Sequence, residues 1–185
     1  MLYLVEFADW DSQKTIGKGC SAGSAVFNMG ATDNMNYHTG TDQASRDSYG
    51  CTQYRNIEGL WDNVYDWCDG IYFSSTNIYI VDNPANFSDS SGGVLVGTRP
   101  NASGWIKAFA KSNVAGYDWF EYCSDKDGAD GSYVCDYCYY YASGVVLRVG
   151  GNYGQNANYG LFCAYGDYAA TNKVAGIGSR LMKIP

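Results

Sequence analysis

Residues 54–71 read YRNIEGLWDNVYDWCDGI, and this stretch decides the fold. Tyr and Trp stand in it beside Ile, Leu and Val, while Gly, Asp and Asn interrupt the apolar runs. Runs of aromatic and β-branched residues bounded by Gly, Asp and Asn are typical of strands. The pattern predicts strands at residues 63–67 and 70–73, preceded by a short helical turn at 57–61. Large rings act as core anchors, so we expect the Trp and Tyr side chains of the stretch to be buried.

The rest of the chain continues this alternation of apolar runs and turn residues. With 185 residues, the chain is long enough for one domain and too short for two ordinary ones. A short helix is predicted at 41–49, with Thr41 or Asp42 as its cap. Residues 150–176 have no clean period, and we interpret them as a long organised loop. We therefore predict a single domain, mostly irregular and β with a little helix, with further strands at residues 2–7, 77–81, 93–96, 132–141, 145–149 and 177–184.

The composition excludes several classes of function. Apolar residues make up 46% and charged residues 17% of the chain, which is the balance of a globular domain and not of a disordered one. A formal net charge of −7 argues against binding nucleic acid through its phosphates. The apolar runs are too short to span a membrane, and the start lacks the basic head and long apolar middle of a signal peptide. We therefore expect no nucleic-acid partner, no membrane insertion and no signal peptide in this chain.

Seven cysteines and one histidine set the expectations for metals and redox chemistry. An odd number of cysteines leaves at least one thiol free or paired between chains. Cys135 and Cys138 form a CxxC pair, but no second pair follows and His38 is the only imidazole, so zinc is not expected. We interpret most of the cysteines as buried small apolar residues in a protein made in a reducing cytoplasm.

Two blocks of the sequence resemble a known family. Residues 63–67 (NVYDW) resemble the GNVWEW signature of the formylglycine-generating-enzyme type of C-type lectin fold, and Asp62 stands where that signature has Gly. Residues 148–151 (RVGG) and 177–180 (IGSR) look like the RGG…GFR ending of the same family. The resemblance implies an α+β class and a C-type lectin-like fold, with mixed or antiparallel sheets, short helices and long organised loops.

The resemblance also implies roles for individual elements. The N-terminal strand at 2–7 would pair with the C-terminal strand at 177–184 and close the domain. Arg148 and Arg180 would fix loop carbonyls or carboxylates through the donor forks of their guanidinium groups. The scaffold side chains would be those of Trp61, Trp67, Leu161, Phe162 and Ile177.

Between these blocks, residues 152–175 (NYGQNANYGLFCAYGDYAATNKVA) resemble the variable region of a protein diversified by a diversity-generating retroelement. Such systems mutate adenines, so an Asn codon of the AAY type becomes a codon for Tyr, Asp, Gly or Cys, among others. These residue types fill much of the stretch, and Gly160, Leu161 and Phe162 would be fixed scaffold between variable positions. The resemblance implies a variable region at about residues 152–176, displayed on a C-type lectin fold.

This resemblance implies a non-catalytic display domain whose C-terminal loop surface binds a ligand or receptor. Targets of such systems include phage tail-tip receptor binders and bacterial surface proteins. We therefore expect a location in a phage virion tail or on a bacterial cell surface, and a protein or glycan partner on a cell surface. The abrupt start within a strand-like run favours the interpretation that this chain is the C-terminal part of a longer one.

The residue types of the stretch suit a binding surface. Tyr offers a large contact area at a low cost in side-chain entropy, and Asn, Ser and Gly give adaptable hydrogen bonds. The alternative for the tyrosines is that their rings are half-buried plugs of the loop. Gln155 does not follow the codon rule, because adenine changes alone cannot turn an AAY codon into one for Gln. The contact residues that we expect to be exposed are Tyr153, Gln155, Asn158, Tyr159, Tyr165, Asp167, Tyr168 and Asn172.

A formylglycine-generating-enzyme-like oxidase is the first alternative function. That chemistry needs a thiol pair near the C-terminal block, which holds copper and engages the substrate cysteine. Cys163 stands at one of the two positions, but the residue five places earlier is Asn158. We therefore expect no enzyme activity, no catalytic residues and no cofactor, and interpret Cys163 as the product of a mutated Asn codon or as a buried thiol.

A calcium-dependent carbohydrate-binding lectin is the second alternative. Calcium requires several converging oxygen ligands. Asp125, Asp127 and Asp130, in the sequence SDKDGADG, look like a calcium loop but lack the closing Glu of an EF-hand. An acidic turn is the simpler interpretation, so no metal ligand is assigned, and a structural calcium stays an open alternative.

Overall fold

The computed structural model describes residues 26, 39–42, 51–54, 57–130, 134, 136–142, 145–155, 158 and 160–178. The predicted N-terminal strand at 2–7 and its pairing with the C-terminal strand lie outside these residues. Tyr159, Arg180 and residues 43–49 of the predicted helix also lie outside them. Thr41 and Asp42, the predicted cap of that helix, lie in a strand, so this part of the prediction is wrong. In this part of the chain, the secondary structure is almost entirely β.

The helical content of the described residues is a single 3₁₀ turn at Pro84–Asn86, and no helix among them is long and apolar enough to cross a membrane. The expected α+β class is therefore not confirmed. The strands, in chain order, are β1 (Thr39–Asp42), β2 (Cys51–Tyr54), β3 (Ile57–Glu58), β4 (Tyr65–Ser74), β5 (Asn77–Ile80), β6 (Val94–Thr98), β7 (Gly104–Trp105), β8 (Ala108–Lys111), β9 (Glu121–Asp125), β10 (Tyr137–Tyr140), β11 (Val145–Val149), β12 (Ala164–Gly166) and β13 (Ile177–Gly178).

The largest sheet is curled and has β4 and β11 near its centre. Its strand order is β6-β5-β4-β11-β12-β10-β7, and β13 pairs with the first residues of β4. The pairs β10–β12 and β4–β13 are parallel, and the other pairs of this sheet are antiparallel. The sheet is therefore mixed, which is one of the two arrangements that the family resemblance implies. A small sheet of β1, β2 and β3 and a hairpin of β8 and β9 complete the described strands.

The structure corrects two predictions near the deciding stretch. Ile57–Glu58, predicted as part of a helical turn, forms β3 against β2. One helical turn gains few hydrogen bonds for the backbone that it orders, and pairing with β2 supplies them instead. The predicted strands at 63–67 and 70–73 are one continuous strand, β4, in which Gly70 adopts a positive φ of 80°. Glycine reaches this conformation without strain, so the strand bends there and does not end.

The segment 150–176 differs from the predicted loop because it contains β12. This short strand lies between β11 and β10 inside the largest sheet. Three residues without clear alternation give too weak a pattern to identify a strand from sequence. The predicted strands at 77–81, 93–96 and 145–149 are confirmed with small shifts at their ends.

The core of the described residues consists of three clusters, and the predicted scaffold side chains other than Trp67 belong to these clusters or pack against them. Trp61 is fully buried and Tyr65 is 2% exposed, so the expected burial of these rings is confirmed, and Trp67 is half-buried. Leu161 and Ile177 pack against the first cluster and Phe162 against the third. The clusters are Tyr54, Trp61, Tyr65, Cys163 and Tyr165; then Phe73, Ile78, Ile80, Val96 and Leu147; then Ile106, Cys123, Val134 and Cys138.

One buried arginine ties the strands of the largest sheet together. Arg99, just after β6, donates to the backbone oxygens of Ser75, Tyr139, Gly166 and Tyr141 at 3.0 to 3.3 Å. Burial lowers the pKa of its guanidinium to about 10, which still leaves it charged at neutral pH. Its planar fork therefore joins the turn after β4 to β10 and β12.

We expect Arg99→Ala to lower the free energy of unfolding by about 3 kcal/mol, because it leaves several carbonyl groups without their donor. Urea denaturation measures this change. Lys111→Ala is the control: Lys111 is exposed and lies 3.8 Å from Glu121 in a surface ion pair, so the loss should stay within about 0.5 kcal/mol. Equal losses in the two variants would contradict the role given to Arg99.

Candidate functional site

Residues 63–66 hold both ends of the segment 152–176. The backbone N–H of Tyr153 donates to the oxygen of Asn63 at 3.1 Å, and the N–H of Tyr65 donates to the oxygen of Gly176 at 2.8 Å. Asp66 also pairs with Val149 of β11 and with Gly178 of β13. The two sequence blocks that carry the family resemblance are therefore hydrogen-bonded to each other.

Glycines make the close approach of these ends possible. Gly150 and Gly151 follow β11 with φ values of 92° and 104°, which turn the chain under the first block. A Cβ atom on Gly150 would lie 3.1 Å from the oxygen of Leu60. A Cβ atom on Gly176 would overlap the Nδ2 atom of Asn152, so the start and the end of the segment are in contact.

The middle of the segment is hydrogen-bonded to Asp136 and to Tyr137, the first residue of β10. Asp136 is fully buried, and its Oδ2 atom accepts a hydrogen bond from the N–H of Phe162 at 2.6 Å. The N–H of Tyr137 donates to the oxygen of Asn158 at 3.1 Å. Sequence reasoning missed Asp136, because an acid between two cysteines and a tyrosine carries no signal that it is buried.

Tyr165 contradicts the prediction that it is an exposed contact residue. It lies in β12, is 1% exposed, and stacks on Tyr139 with ring centroids 4.0 Å apart. Its ring centroid also lies 4.5 Å from that of Tyr65. Burial raises the pKa of its phenol, so the group stays neutral. The prediction fails because residues of a strand within a sheet alternate between faces, and Tyr165 points into the core.

Gln155 and Asn158 are half-buried and bonded to the rings beneath them. The Oε1 atom of Gln155 accepts hydrogen bonds from the hydroxyl groups of Tyr165 at 2.9 Å and Tyr139 at 3.4 Å. The Nδ2 atom of Asn158 donates to the hydroxyl oxygen of Tyr139 at 3.1 Å. These amides are thus positioned by the rings beneath them, and a substitution at either would leave the hydroxyl group of Tyr139 with one partner fewer.

Arg148, in β11, lies beneath Asp167 and Tyr168 of the segment. It is 2% exposed and pairs with the carboxylate of Asp167. Its guanidinium carbon lies 4.3 Å from the ring centroid of Tyr65 and 4.1 Å from that of Tyr168. The faces of aromatic rings attract a cation that has lost its water. The predicted role of Arg148 in fixing a loop carboxylate matches this ion pair.

The most exposed part of the segment is residues 169–175, all of which are open to solvent. Asn172 lies in this run, so its predicted exposure is confirmed. The remaining described contact candidates are half-buried: Tyr153, Gln155, Asn158, Asp167 and Tyr168. Exposure was thus predicted correctly for Asn172, in part for these five residues and wrongly for Tyr165. Contact with a ligand stays a prediction for Asn172 and the five half-buried residues.

Cys163 has the environment of a structural thiol. It is 1% exposed, and its Sγ atom donates to the oxygens of Tyr137 at 3.3 Å and Asn158 at 3.5 Å. Burial raises the pKa of the thiol, so it stays protonated, whereas nucleophiles and metal ligands are thiolates. Residue 158 does lie beside Cys163, as an oxidase thiol pair would require, but its side chain is an amide.

The acidic loop after β9 uses its carboxylates for internal contacts. Asp125 lies 3.2 Å from the Nζ atom of Lys107 and accepts from the N–H of Asp127 at 3.0 Å, and Lys126 pairs with Asp127. The bond from the Asp127 N–H, followed by the one from Lys107, lowers the pKa of Asp125. In the part of the chain that is described, no three His, Cys, Asp or Glu side chains are grouped to hold a metal ion.

Comparisons with protein-family models, with curated proteins and with solved structures find no match for this chain. The outer part of the site comprises the exposed run at 169–175 and the half-buried rings of Tyr153 and Tyr168.

We expect Tyr165→Ala to lower the free energy of unfolding by about 4 kcal/mol, because it removes a ring from the core. Tyr153→Ala is the matched control, and its half-buried ring should cost about 1 kcal/mol or less. Chemical denaturation of the two variants and the parent protein measures both values. A larger loss for Tyr153→Ala than for Tyr165→Ala would contradict the placement of β12.

We expect Asp167→Ala to cost about 3 kcal/mol of stability, because it leaves the buried charge of Arg148 without its counter-ion. Asp167→Asn keeps an acceptor oxygen and should cost about half as much. Asp127→Ala is the control, because Asp127 is 65% exposed in its ion pair with Lys126. Thermal and urea unfolding of the three variants measure these losses of stability. An unchanged stability of Asp167→Ala would refute the ion pair.

Proposed function

We propose that this chain is a non-catalytic ligand-display domain with a C-type lectin fold, whose segment 152–176 is diversified by a retroelement. The domain recognises a protein or glycan on a cell surface. Its place is in a phage virion tail or on a bacterial cell surface. The mechanism is non-covalent binding through the outward side chains of the segment.

The observation that supports this proposal best is the attachment of both ends of the segment to residues 63–66. The bonds Tyr153 N–H to Asn63 O and Tyr65 N–H to Gly176 O join backbone atoms only. Backbone bonds do not depend on the side chain at either position. The segment can therefore change its outward residues while its ends stay in place, which is what a diversified surface requires.

The distribution of burial along the segment supports the same function. Leu161, Cys163 and Tyr165 face the core, whereas residues 169–175 are exposed. The contact surface that we propose consists of Tyr153, Tyr168 and Asn172, with Asp167, Gln155 and Asn158 at its base. Tyr165 is excluded because it is buried. Rings of Tyr beside small residues give large contact areas with adaptable hydrogen bonds.

We propose no catalytic step for this surface. The thiol that the family resemblance would assign to chemistry, that of Cys163, is buried and protonated. Its neighbour at position 158 is an amide, which is not a ligand for copper(I). Binding alone explains the residues at the surface.

The DNA around the coding sequence tests the proposal. We expect a near-copy of the codons for residues 145–180 beside a reverse transcriptase gene, differing from them only at adenines of the copy. The differences should include the codons of Tyr153 and Tyr168, whereas Asn172 is the residue that an unchanged AAY codon gives. They should spare the codons of Leu161 and Phe162, which face the core. Sequencing the locus in the source genome and in its close strains gives the answer. A locus without such a copy, or with differences spread over all bases, would refute diversification.

A further inference from the structure

An apolar cavity lies between the β8–β9 hairpin and the face of the largest sheet, and its volume is about 340 Å³. It is separate from the exposed run at 169–175. The hairpin is fixed at both ends: the N–H of Lys107 donates to the oxygen of Asp125 at 2.7 Å, and the hydroxyl of Tyr117 donates to Asp82 at 3.0 Å. The hairpin side of the cavity is therefore bonded in place.

Rings and aliphatic groups make up most of the cavity wall. The ring centroids of Phe109 in the hairpin and Phe162 in the segment are 5.8 Å apart. Those of Phe120 and Tyr122 are 6.1 Å apart. These rings present faces and edges to the interior, which suits an aromatic guest. The wall includes the side chains of Phe73, Phe109, Phe120, Leu147, Phe162 and Ala164.

The polar atoms of the wall are satisfied or lie at the rim. The Sγ atom of Cys123 donates to the oxygen of Asp125 at 3.5 Å, and Cys163 is bonded as described above. A hydrogen bond between the thiols of Cys123 and Cys138, followed by burial, raises the pKa of Cys123, and the same bond lowers the pKa of Cys138. Glu121 stands at the exposed rim with its carboxylate 3.8 Å from Lys111. Glu121 is the one Asp, Glu, Lys or Arg among the residues of the wall, and its place at the rim leaves the interior apolar.

The volume sets the size of the guest. Dry apolar cavities of about 150 Å³ bind benzene, and small-molecule sites of proteins begin at about 300 Å³. A cavity of 340 Å³ thus has room for a two-ring compound. Trp119, which is 65% exposed, lies at the mouth, and its Nε1–H donates to the oxygen of Gly116 at 3.0 Å. Its ring is fixed beside the entrance.

We propose that this cavity is a binding site for a small, uncharged aromatic molecule of one or two rings. The site does not depend on the proposed display function, because its walls are core residues and the hairpin. Four consecutive residues of the segment, 161–164, form part of the wall on the core side.

Thermal unfolding with 2-naphthol tests the proposal on the intact chain. A ligand that binds only the folded state raises Tm as its concentration increases, and at a hundredfold excess over Kd the rise should be about 5 to 10 °C. Naphthalene-2-sulfonate is the control probe, because its charge excludes it from an apolar cavity. A Tm that stays constant up to the solubility limit of 2-naphthol would overturn the proposal.

Thiol alkylation on the unmodified protein locates the bound probe. We expect 2-naphthol to slow the reaction of Cys123 and Cys163 with N-ethylmaleimide at least threefold, as measured by mass spectrometry of the peptides. Cys68 is half-buried and lies outside the cavity, so its rate should not change. A rise in Tm without protection of Cys123 and Cys163 would place the probe elsewhere and overturn the assignment.

A filled cavity provides the matched variant. Ala164→Leu adds carbon atoms to the wall and should abolish the rise in Tm with 2-naphthol. Ala108→Leu makes the same change at an exposed position of β8 and should leave the rise unchanged. An equal rise in Tm for the two variants would count against the site. If Ala164→Leu does not fold, the alkylation result on the parent protein decides.

This binding test and the DNA test of the proposed function are independent. A missing repeat in the DNA would refute diversification and leave the binding of 2-naphthol unaffected.

Discussion

The backbone at residues 63–66 is the constraint on which the arrangement of the surface depends. Asn63 adopts a positive φ of 60°, after which the chain enters β4. The backbone oxygen of Asn63 accepts a hydrogen bond from the start of the segment, and the backbone N–H of Tyr65 donates one to its end. Asp66 pairs with both β11 and β13. Since these bonds use main-chain atoms, their geometry tolerates changes in the side chains that the segment presents.

This anchoring divides the segment into an inner and an outer part. Between its fixed ends the segment forms strand β12 inside the largest sheet, and residues 169–175 after it are exposed to solvent. The inner part is held by Asp136, whose buried carboxylate accepts from Phe162, and by the stack of Tyr139 on Tyr165. Variation is therefore compatible with stability only at outward positions, and the pattern of burial defines which positions these are.

The sequence predicted the rings of the deciding stretch and most strands of the largest sheet correctly, because these depend on local runs of apolar and β-branched residues. Burial of Trp61 and Tyr65 follows from their size. The position of Tyr165 could not be predicted, because a tyrosine in a Gly-rich segment looks the same from sequence whether it faces solvent or core. Arg99 also escaped prediction: its carbonyl partners lie 24 to 67 residues away along the chain.

Arg148 shows how a display surface and a stable core can be in conflict. The guanidinium is buried, and the two groups that neutralise and cover it, Asp167 and Tyr168, belong to the segment that the proposed function would diversify. A buried cation without a counter-ion costs several kcal/mol, so replacement of Asp167 by an apolar residue conflicts with folding. Asn at the same position keeps an acceptor oxygen for the guanidinium. Selection for folding should therefore restrict position 167 to short acceptor side chains, whereas positions in the exposed run meet no such restriction.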